Sequence, residues 1–160
     1  MFIRAEENKM NTENVLVELK ICKPMEGINL PSYATLGSAG FDLHAVIEND
    51  IIIKSQERAL IHTGIAIALP DGYEAQIRSR SGLAFKNGVV VLNSPGTIDS
   101  DYRGEIMVIL YNSDEEDFVV QRGMRIAQMV VQRYEKVEFD IVSSLSETVR
   151  NLGGFGSTGL

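Results

Sequence analysis

The sequence is poor in the residues from which disulfides and tight metal sites are built. Its 160 residues include one cysteine, Cys22, and two histidines, His44 and His62. A single cysteine excludes an intrachain disulfide and a metal site made of several thiolates. The two histidines lie at no spacing that metal-binding motifs use, so we interpret both as structural residues.

Positive charge is also scarce. The chain has 15 lysines and arginines against 22 aspartates and glutamates, which gives a formal net charge of -7 and a pI near 4.8. This balance argues against non-specific binding to nucleic acid or to an anionic membrane. An anionic ligand would therefore need cations that are placed locally.

Long apolar runs are missing as well. No segment approaches the length of a membrane span, and residues 1–9 lack the apolar core of a signal peptide. We therefore expect a cytoplasmic location and no membrane partner. With 44% hydrophobic and 23% charged residues, a chain of this length is typical of one soluble globular domain.

Short β-type segments separated by turn residues run along most of the chain. Apolar and polar residues alternate from Val15 to Ile21, which predicts a half-buried strand. Further strands are predicted at 38–45, 51–53, 59–69, 73–78, 89–92, 106–111, 118–120, 125–134 and 137–142. One short helical turn is predicted at 81–88, closed by Asn87 and Gly88. The pattern predicts an all-β sandwich or barrel with at most one short helix.

These elements divide the chain into three parts. We expect a loose N-terminal segment at 1–14, a single β domain at 15–142 and a C-terminal arm at 143–160. The arm ends in a glycine-rich stretch that also contains Arg150 and Phe155. Such a stretch is often only a disordered tail, but a linker needs neither a cation for phosphate nor an aromatic face for a base.

Residues 93–105 form a long connection between two apolar segments. The connection carries Asp99, Asp101 and Tyr102. Its flanking segments, 89–92 and 106–111, lack polar alternation, which predicts burial on both faces. Aspartates in a loop rich in proline and glycine often serve only as turn caps. A loop on rigid strands is, however, a common place for binding and catalytic residues.

Three further segments combine small residues with charged or polar side chains. Residues 78–84 hold Arg80, which suits a phosphate oxygen together with nearby hydroxyl and backbone N–H groups. Residues 39–45 hold Asp42 between apolar neighbours. Residues 123–128 place Arg125 three positions before Gln128, so the two side chains face opposite sides of a strand unless a bulge intervenes.

Taken together and in this order, the five segments resemble the motifs of the trimeric deoxyuridine triphosphate nucleotidohydrolase (dUTPase) family. The resemblance runs from about residue 15 to residue 160 and is most specific at 96–104 and 150–159. It implies a jelly-roll-like β domain of the β-clip type that forms a homotrimer with active sites shared between subunits. The implied activity is the hydrolysis of dUTP to dUMP and pyrophosphate with Mg²⁺, which limits uracil incorporation into DNA and supplies dUMP for dTMP synthesis.

The resemblance also implies roles for individual residues. Asp99 matches the carboxylate that activates the attacking water, and Arg150 and Gln128 match further catalytic positions. Asp42 matches a carboxylate that holds the metal through water. The implied substrate-binding residues are Arg80, Ser81, Gly82, Asn93, Gly96, Thr97, Ile98, Tyr102, Met107, Phe155, Gly156, Ser157 and Thr158.

Within that set, the implied roles differ. Asn93 and the backbone of its connection would read the edge of uracil, and Tyr102 would leave no room for a 2′-hydroxyl. Arg150, with Ser157 and Thr158, would hold the γ-phosphate. Phe155 would stack on uracil when an arm from a neighbouring subunit closes over the site.

The sequence departs from the family pattern at three places. Ser79 stands where the family usually has proline, Met124 where it has aspartate and Asn151 where it has glycine. The related dCTP deaminases carry a glutamate at the position of Ile109, which cannot transfer a proton, so deamination is disfavoured. A non-catalytic nucleotide-binding protein is the alternative from another functional class.

Overall fold

The computed structural model describes residues 14–154. These residues form eleven short strands and one helix, which confirms the expected all-β fold with at most one short helix. The strands are β1 (Glu18–Ile21), β2 (Phe41–His44), β3 (Ile51–Ile53), β4 (Arg58–His62), β5 (Ile65–Ala68), β6 (Tyr73–Arg78), β7 (Val89–Val91), β8 (Gly96–Ile98), β9 (Met107–Asn112), β10 (Phe118–Val120) and β11 (Arg125–Arg133). The helix α1 (Ser81–Asn87) lies between β6 and β7.

Two sheets carry most of the architecture. The larger has the strand order β2-β11-β6-β8, and the smaller has the order β4-β9-β7. Two further pairs, β1 with β5 and β3 with β10, flank them, and every pairing is antiparallel within residues 14–154. Their shared core contains Leu43, Ile61, Leu110, Ile126 and Met129, which are at most 2% exposed.

Burial alternates along β9, which corrects one expectation. Val108, Leu110 and Asn112 are buried, whereas Ile109 and Tyr111 on the other face are only half-buried. The apolar runs around the 93–105 connection were expected to be buried on both faces. Within one chain a single layer covers one face only, so the second face stays accessible.

The N-terminal strand is shorter and more exposed than its pattern predicts. It begins at Glu18 rather than Val15, and all four of its residues are exposed. β1 pairs along its length with β5, but its apolar Leu19 and Ile21 remain 41% and 53% exposed. Backbone pairing therefore does not bury this strand, and the expected half-burial is wrong for the single chain.

The predicted strand at residues 137–142 is also wrong. No strand follows β11 within the part of the chain that the structure describes. Val137, Phe139 and Ile141 keep their alternation but are 69%, 91% and 96% exposed, because none of the described strands pairs with them. A strand needs a partner for its backbone groups, and sequence alternation alone does not supply one.

Two smaller features differ from or match the pattern. The predicted strand at 59–69 divides into β4 and β5 around Gly64, which has a φ of 70°. The helix ends at Gly88, whose φ of 62° and bond to the Leu83 carbonyl stop it where the sequence predicts.

No helix within residues 14–154 is long and apolar enough to cross a membrane.

Candidate active site

The connection between β7 and β9 joins the two main sheets. β7 pairs with β9 as an antiparallel hairpin, as expected. Inside the connection, residues 96–98 form β8, which leaves the smaller sheet and pairs with β6 of the larger one. The polar residues of the connection are thus anchored on two sheets, which fixes their positions.

A cavity of about 260 Å³ lies beneath this connection. Seven of the predicted site residues line it: Asn93, Gly96, Thr97, Ile98, Asp99, Tyr102 and Met107. Its remaining lining is mostly apolar, from Leu60, Ile77, Val91, Ile106, Val108 and Ile109. An apolar floor with a few convergent polar groups is the usual form of a small-molecule site.

Gly96 allows the Asn93 side chain to lie against β8. A Cβ atom at residue 96 would come within 3.2 Å of the Asn93 Nδ2 atom and 3.4 Å of the Ile77 Cβ atom. Gly96 is buried, while Asn93 is exposed at the cavity edge. The close approach therefore places a side-chain amide, which can both donate and accept hydrogen bonds, beside the backbone of β8.

Tyr102 folds over Gly104. A Cβ atom at residue 104 would overlap the tyrosine ring and its hydroxyl group. The Tyr102 hydroxyl donates to the carbonyl oxygen of Glu105 at 3.0 Å, which fixes the ring at the cavity. Asp99 is exposed, and its carbonyl accepts the Tyr102 N–H at 3.1 Å, so the carboxylate and the ring belong to one turn.

Glu105 and His62 support this turn, and our sequence reasoning missed their pairing. The Glu105 carboxylate lies 2.9 Å from the Nδ1 atom of His62 and accepts the N–H of Gly64 at 2.9 Å. These contacts hold the start of β9 against the end of β4. The available signal was Glu105, a carboxylate directly before an apolar strand. Its partner His62 is 43 positions away in sequence, so the sequence did not indicate the pairing.

A second group of predicted residues meets where β2 pairs with β11. It consists of Asp42, Arg80, Arg125 and Gln128, and we call it the arginine cluster. Asp42 accepts from Arg80 Nε at 2.8 Å and from Arg125 Nη1 at 3.4 Å. The register of β11 against β2 shifts between Arg125 and Ala127. This irregularity is the bulge that the spacing of Arg125 and Gln128 left open, and it brings both residues to the region of the Asp42 carboxylate.

His44 adjoins the arginine cluster without adding charge near neutral pH. Burial lowers the pKa of His44 below its usual value, and the positive charges of Arg125 and Arg80 lower it further. The Asp42 carboxylate opposes this shift but does not reverse it. The net charge of the arginine cluster therefore comes from two guanidinium groups and one carboxylate.

The cluster suits a metal only through water or through the ligand's own oxygen atoms. Both carboxylate oxygens of Asp42 already accept bonds from arginines. Among residues 14–154 there is no group of three or more His, Cys, Asp or Glu side chains that could hold an ion. A hydrated Mg²⁺ that keeps several waters and binds phosphate oxygens fits this donor set.

The cavity and the arginine cluster remain separate within the chain. None of Asp42, Arg80, Arg125 and Gln128 lines the cavity. Ser81 and Gly82 are exposed at the start of α1, directly after Arg80. The resemblance implied one site shared between subunits, and a single chain places these residues in two groups.

Only the first part of the predicted arm can be located. The Arg150 Nε atom donates to the Gly153 carbonyl at 2.8 Å, and Asn151 has a φ of 42°. Residues 143–152 are exposed. Phe155, Gly156, Ser157 and Thr158 lie outside the described residues.

Comparisons with known proteins agree on one family. A family model described as dUTPase matches residues 26–159. A deoxyuridine 5'-triphosphate nucleotidohydrolase from Rickettsia felis is 60% identical over 144 residues, covering 90% of this chain and 97% of the relative. One from Rickettsia canadensis is 62% identical over 132 residues, covering 82% and 89%.

Solved structures share the fold at lower identity. A mutant dUTPase of Staphylococcus bacteriophage 80alpha with dUpNHpp has a TM-score of 0.77 and 24% identity. The match covers 91% of this chain and 99% of that one. A mutant dUTPase of phage phi11 of S. aureus, described as coordinating a structural Mg(II) ion, has a TM-score of 0.72 and 20% identity, covering 82% of this chain and 99% of that one.

Proposed function

The chain belongs to the dUTPase family, and we propose that it hydrolyses dUTP to dUMP and pyrophosphate. The observation that carries the proposal is the cavity whose wall holds Asn93, Asp99 and Tyr102 on one connection between two sheets. An amide, a carboxylate and an aromatic ring in this arrangement suit a base, a water molecule and a sugar. The nucleotide in the phage 80alpha structure and the names of the close relatives support the same substrate.

We assign recognition of uracil to Asn93 and the backbone of β8. β8 is an edge strand, with β6 as its one strand neighbour within residues 14–154. Its other edge offers fixed backbone donors and acceptors beside the Asn93 amide. Uracil carries an N3–H donor that cytosine lacks, so such a fixed pattern discriminates between the two bases. Ile98 and Met107 would pack on the faces of the base, and Thr97 would lie at its rim.

We assign the sugar to Tyr102 and the chemical step to Asp99. The Tyr102 ring is held over Gly104, so it cannot retreat to admit a 2′-hydroxyl. Asp99 would orient a water molecule and accept its proton as the water oxygen bonds to the α-phosphorus. The bond from that phosphorus to the bridging oxygen then breaks, and pyrophosphate leaves with the electron pair.

We assign the triphosphate to the arginine cluster and the residues after it. Arg80 supplies charge, Ser81 and Gly82 supply a hydroxyl and backbone N–H groups, and Gln128 supplies an amide donor. Asp42 would hold the water shell of Mg²⁺, an ion that neutralises phosphate charge when it is bound. Asp42 is also the counter-ion that keeps Arg80 in place.

We assign closure of the site to the C-terminal arm. Arg150, with Ser157 and Thr158, would bind the γ-phosphate, Phe155 would stack on the base, and Gly156 would allow close approach of the backbone. A closed arm would exclude bulk water and strengthen the interactions with the α-phosphate. A neighbouring subunit would supply this arm.

We propose that the protein works as a homotrimer. The outer face of the smaller sheet carries Leu60 beside Ile109 and Val90 beside Tyr111, and Leu60 is 51% exposed. This apolar face adjoins the cavity at Leu60 and Ile109, so a second copy packed there would help to enclose it. A neighbouring copy would also bring an arginine cluster to a cavity that its own chain leaves without one.

The proposal is tested by incubating the purified protein with dUTP, dCTP, dTTP and UTP in Mg²⁺ and separating the products by ion exchange. We expect dUMP and pyrophosphate from dUTP, with kcat/KM for each other nucleotide lower by at least about a hundredfold. Conversion of dCTP to dUTP would instead establish a deaminase. Binding of dUTP without turnover would establish a nucleotide-binding module.

A further inference from the structure

Ser79 makes two hydrogen bonds, one to each of the two groups into which a single chain divides the proposed site residues. Its Oγ atom accepts the backbone N–H of Val91 at 2.9 Å. Its carbonyl oxygen accepts the Nε2–H of Gln128 at 2.9 Å. Ser79 lies between the end of β6 and Arg80, so one residue contacts both the cavity wall and the arginine cluster.

The bond to Val91 satisfies one backbone N–H at the free edge of the smaller sheet. β7 is the last strand of the order β4-β9-β7, and the next residue, Leu92, donates its N–H to Ile109 of β9 at 2.9 Å. Successive N–H groups of a strand point to opposite edges, so the Val91 N–H faces away from β9. Val91 is 3% exposed, and a buried N–H without an acceptor is costly. The Ser79 hydroxyl therefore fixes the end of β7.

The end of β7 is part of the site. Val91 lines the cavity, and Asn93 follows it by two residues. A shift of β7 would move the amide that we assign to uracil. Residue 79 is also where the sequence departs from the proline of the family pattern. Proline stiffens a segment by fixing φ, whereas a serine leaves φ open and offers a hydroxyl.

We propose that Ser79 is a positioning residue that holds the Val91–Asn93 wall of the base cavity through the bond from the Val91 N–H to its hydroxyl. This inference rests on the proposed function. Ser79 touches no substrate in this proposal and acts through the residues that do. Removing its hydroxyl should misplace the Val91–Asn93 wall while the rest of the core stays packed.

The test compares Ser79→Ala with two matched variants. Ser79→Thr keeps the hydroxyl acceptor. Ser113→Ala removes a serine hydroxyl that donates to Gly88 at 2.7 Å, at the far end of β7 and outside the proposed site. For each purified full-length variant we would measure kcat and KM for dUTP, and the hydrogen exchange of the Val91 and Leu92 amides.

We expect KM for dUTP to rise about tenfold in Ser79→Ala, as for one lost hydrogen bond at a site, and to stay within about twofold in Ser79→Thr and Ser113→Ala. The Val91 amide should exchange at least about tenfold faster in Ser79→Ala, while Leu92 keeps its protection. A merely structural loss would lower kcat by reducing the folded fraction and would leave KM unchanged.

An unchanged KM in Ser79→Ala, or equal effects of Ser79→Ala and Ser113→Ala, would overturn the inference. If Ser79→Ala does not fold, Ser79→Cys fills the same space with a poor acceptor, and an unchanged KM there has the same meaning. Failure of the proposed function is a separate result, because it would appear as wild-type protein that does not turn over dUTP.

Discussion

Single residues show how the three departures from the family pattern are accommodated. Asn151 replaces a usual glycine and has a φ of 42°, a region that asparagine enters more readily than most residues. Met124 replaces a usual aspartate, but the segment is still held by its backbone, since Gly123 and Met124 bond to the carbonyl and N–H of Ala45 at 2.8 Å each. Ser79 replaces proline and adds a bond to Val91. No departure removes a residue of the proposed chemistry.

Replacement of Asp99 tests the chemical step at the scale of one residue. Asp99→Asn keeps the size of the side chain but removes the group that accepts the proton of water. We expect kcat to fall by about 10²- to 10⁴-fold, with the affinity for dUpNHpp changed less than about threefold. Steady-state kinetics and calorimetric titration measure the two effects. Near-normal kcat would move the role of general base to another residue.

At the residue scale, contacts within one short segment were predictable from the sequence, and contacts between distant segments were not. Asn93, Asp99 and Tyr102 line one cavity, as their segment suggested, because residues of one short connection stay close together. The contact of Asp42 with Arg80 and Arg125 joins residues 38 and 83 positions apart, and only the fold brings them together. The pairing of His62 with Glu105 was missed for the same reason.

Helices and strands were predictable where the local sequence pattern determines them, and not where pairing with a distant strand determines them. The helix stop at Gly88 follows from the residues themselves. The bulge in β11 was left open by the sequence and is decided by the pairing with β2. β8 was missed because Gly96 and Thr97 are not typical strand residues, and their pairing with β6 comes from tertiary contact. Residues 137–142 have the pattern of a strand, but no neighbour among residues 14–154 pairs with them.

Buried Asn112 gives a prediction about how elements are held together. Its Nδ2 group donates to Ile53 of β3 at 3.0 Å and to Glu116 at 2.7 Å, and its Oδ1 atom accepts the Asp114 N–H at 3.0 Å. Asn112→Ala should therefore lower the free energy of unfolding by about 2–4 kcal/mol, since buried partners lose their bonds. Urea unfolding at fixed protein concentration measures the loss.

Exposed Asn49 supplies the control for that measurement. Asn49→Ala should change the free energy of unfolding by less than about 0.5 kcal/mol. Equal effects of the two substitutions would mean that the three Asn112 bonds do not hold the turn at 113–117 to β3.

The whole molecule exposes apolar surface that one chain does not cover. The outer face of the smaller sheet, the β1 strand and residues 137–142 all carry exposed apolar side chains. The sequence of one chain shows that these residues are apolar, but it does not show the second copy that would cover them. A second copy would likewise be needed to bring an arginine cluster to the cavity. A site divided in this way is what subunits that share residues would produce.

Mixed assemblies test that division directly. Asp99→Asn subunits keep the arm, and subunits lacking residues 153–160 keep Asp99, so each homotrimer alone should be nearly inactive. If an arm serves the next subunit around the ring, every mixed trimer has one site that pairs an intact Asp99 with an intact arm, which predicts about a third of wild-type activity. Co-refolding with two affinity tags and assay of the doubly tagged fraction measures this. A doubly tagged fraction without activity would mean that each arm closes over its own subunit, and a protein that sediments as a monomer would refute the trimer itself.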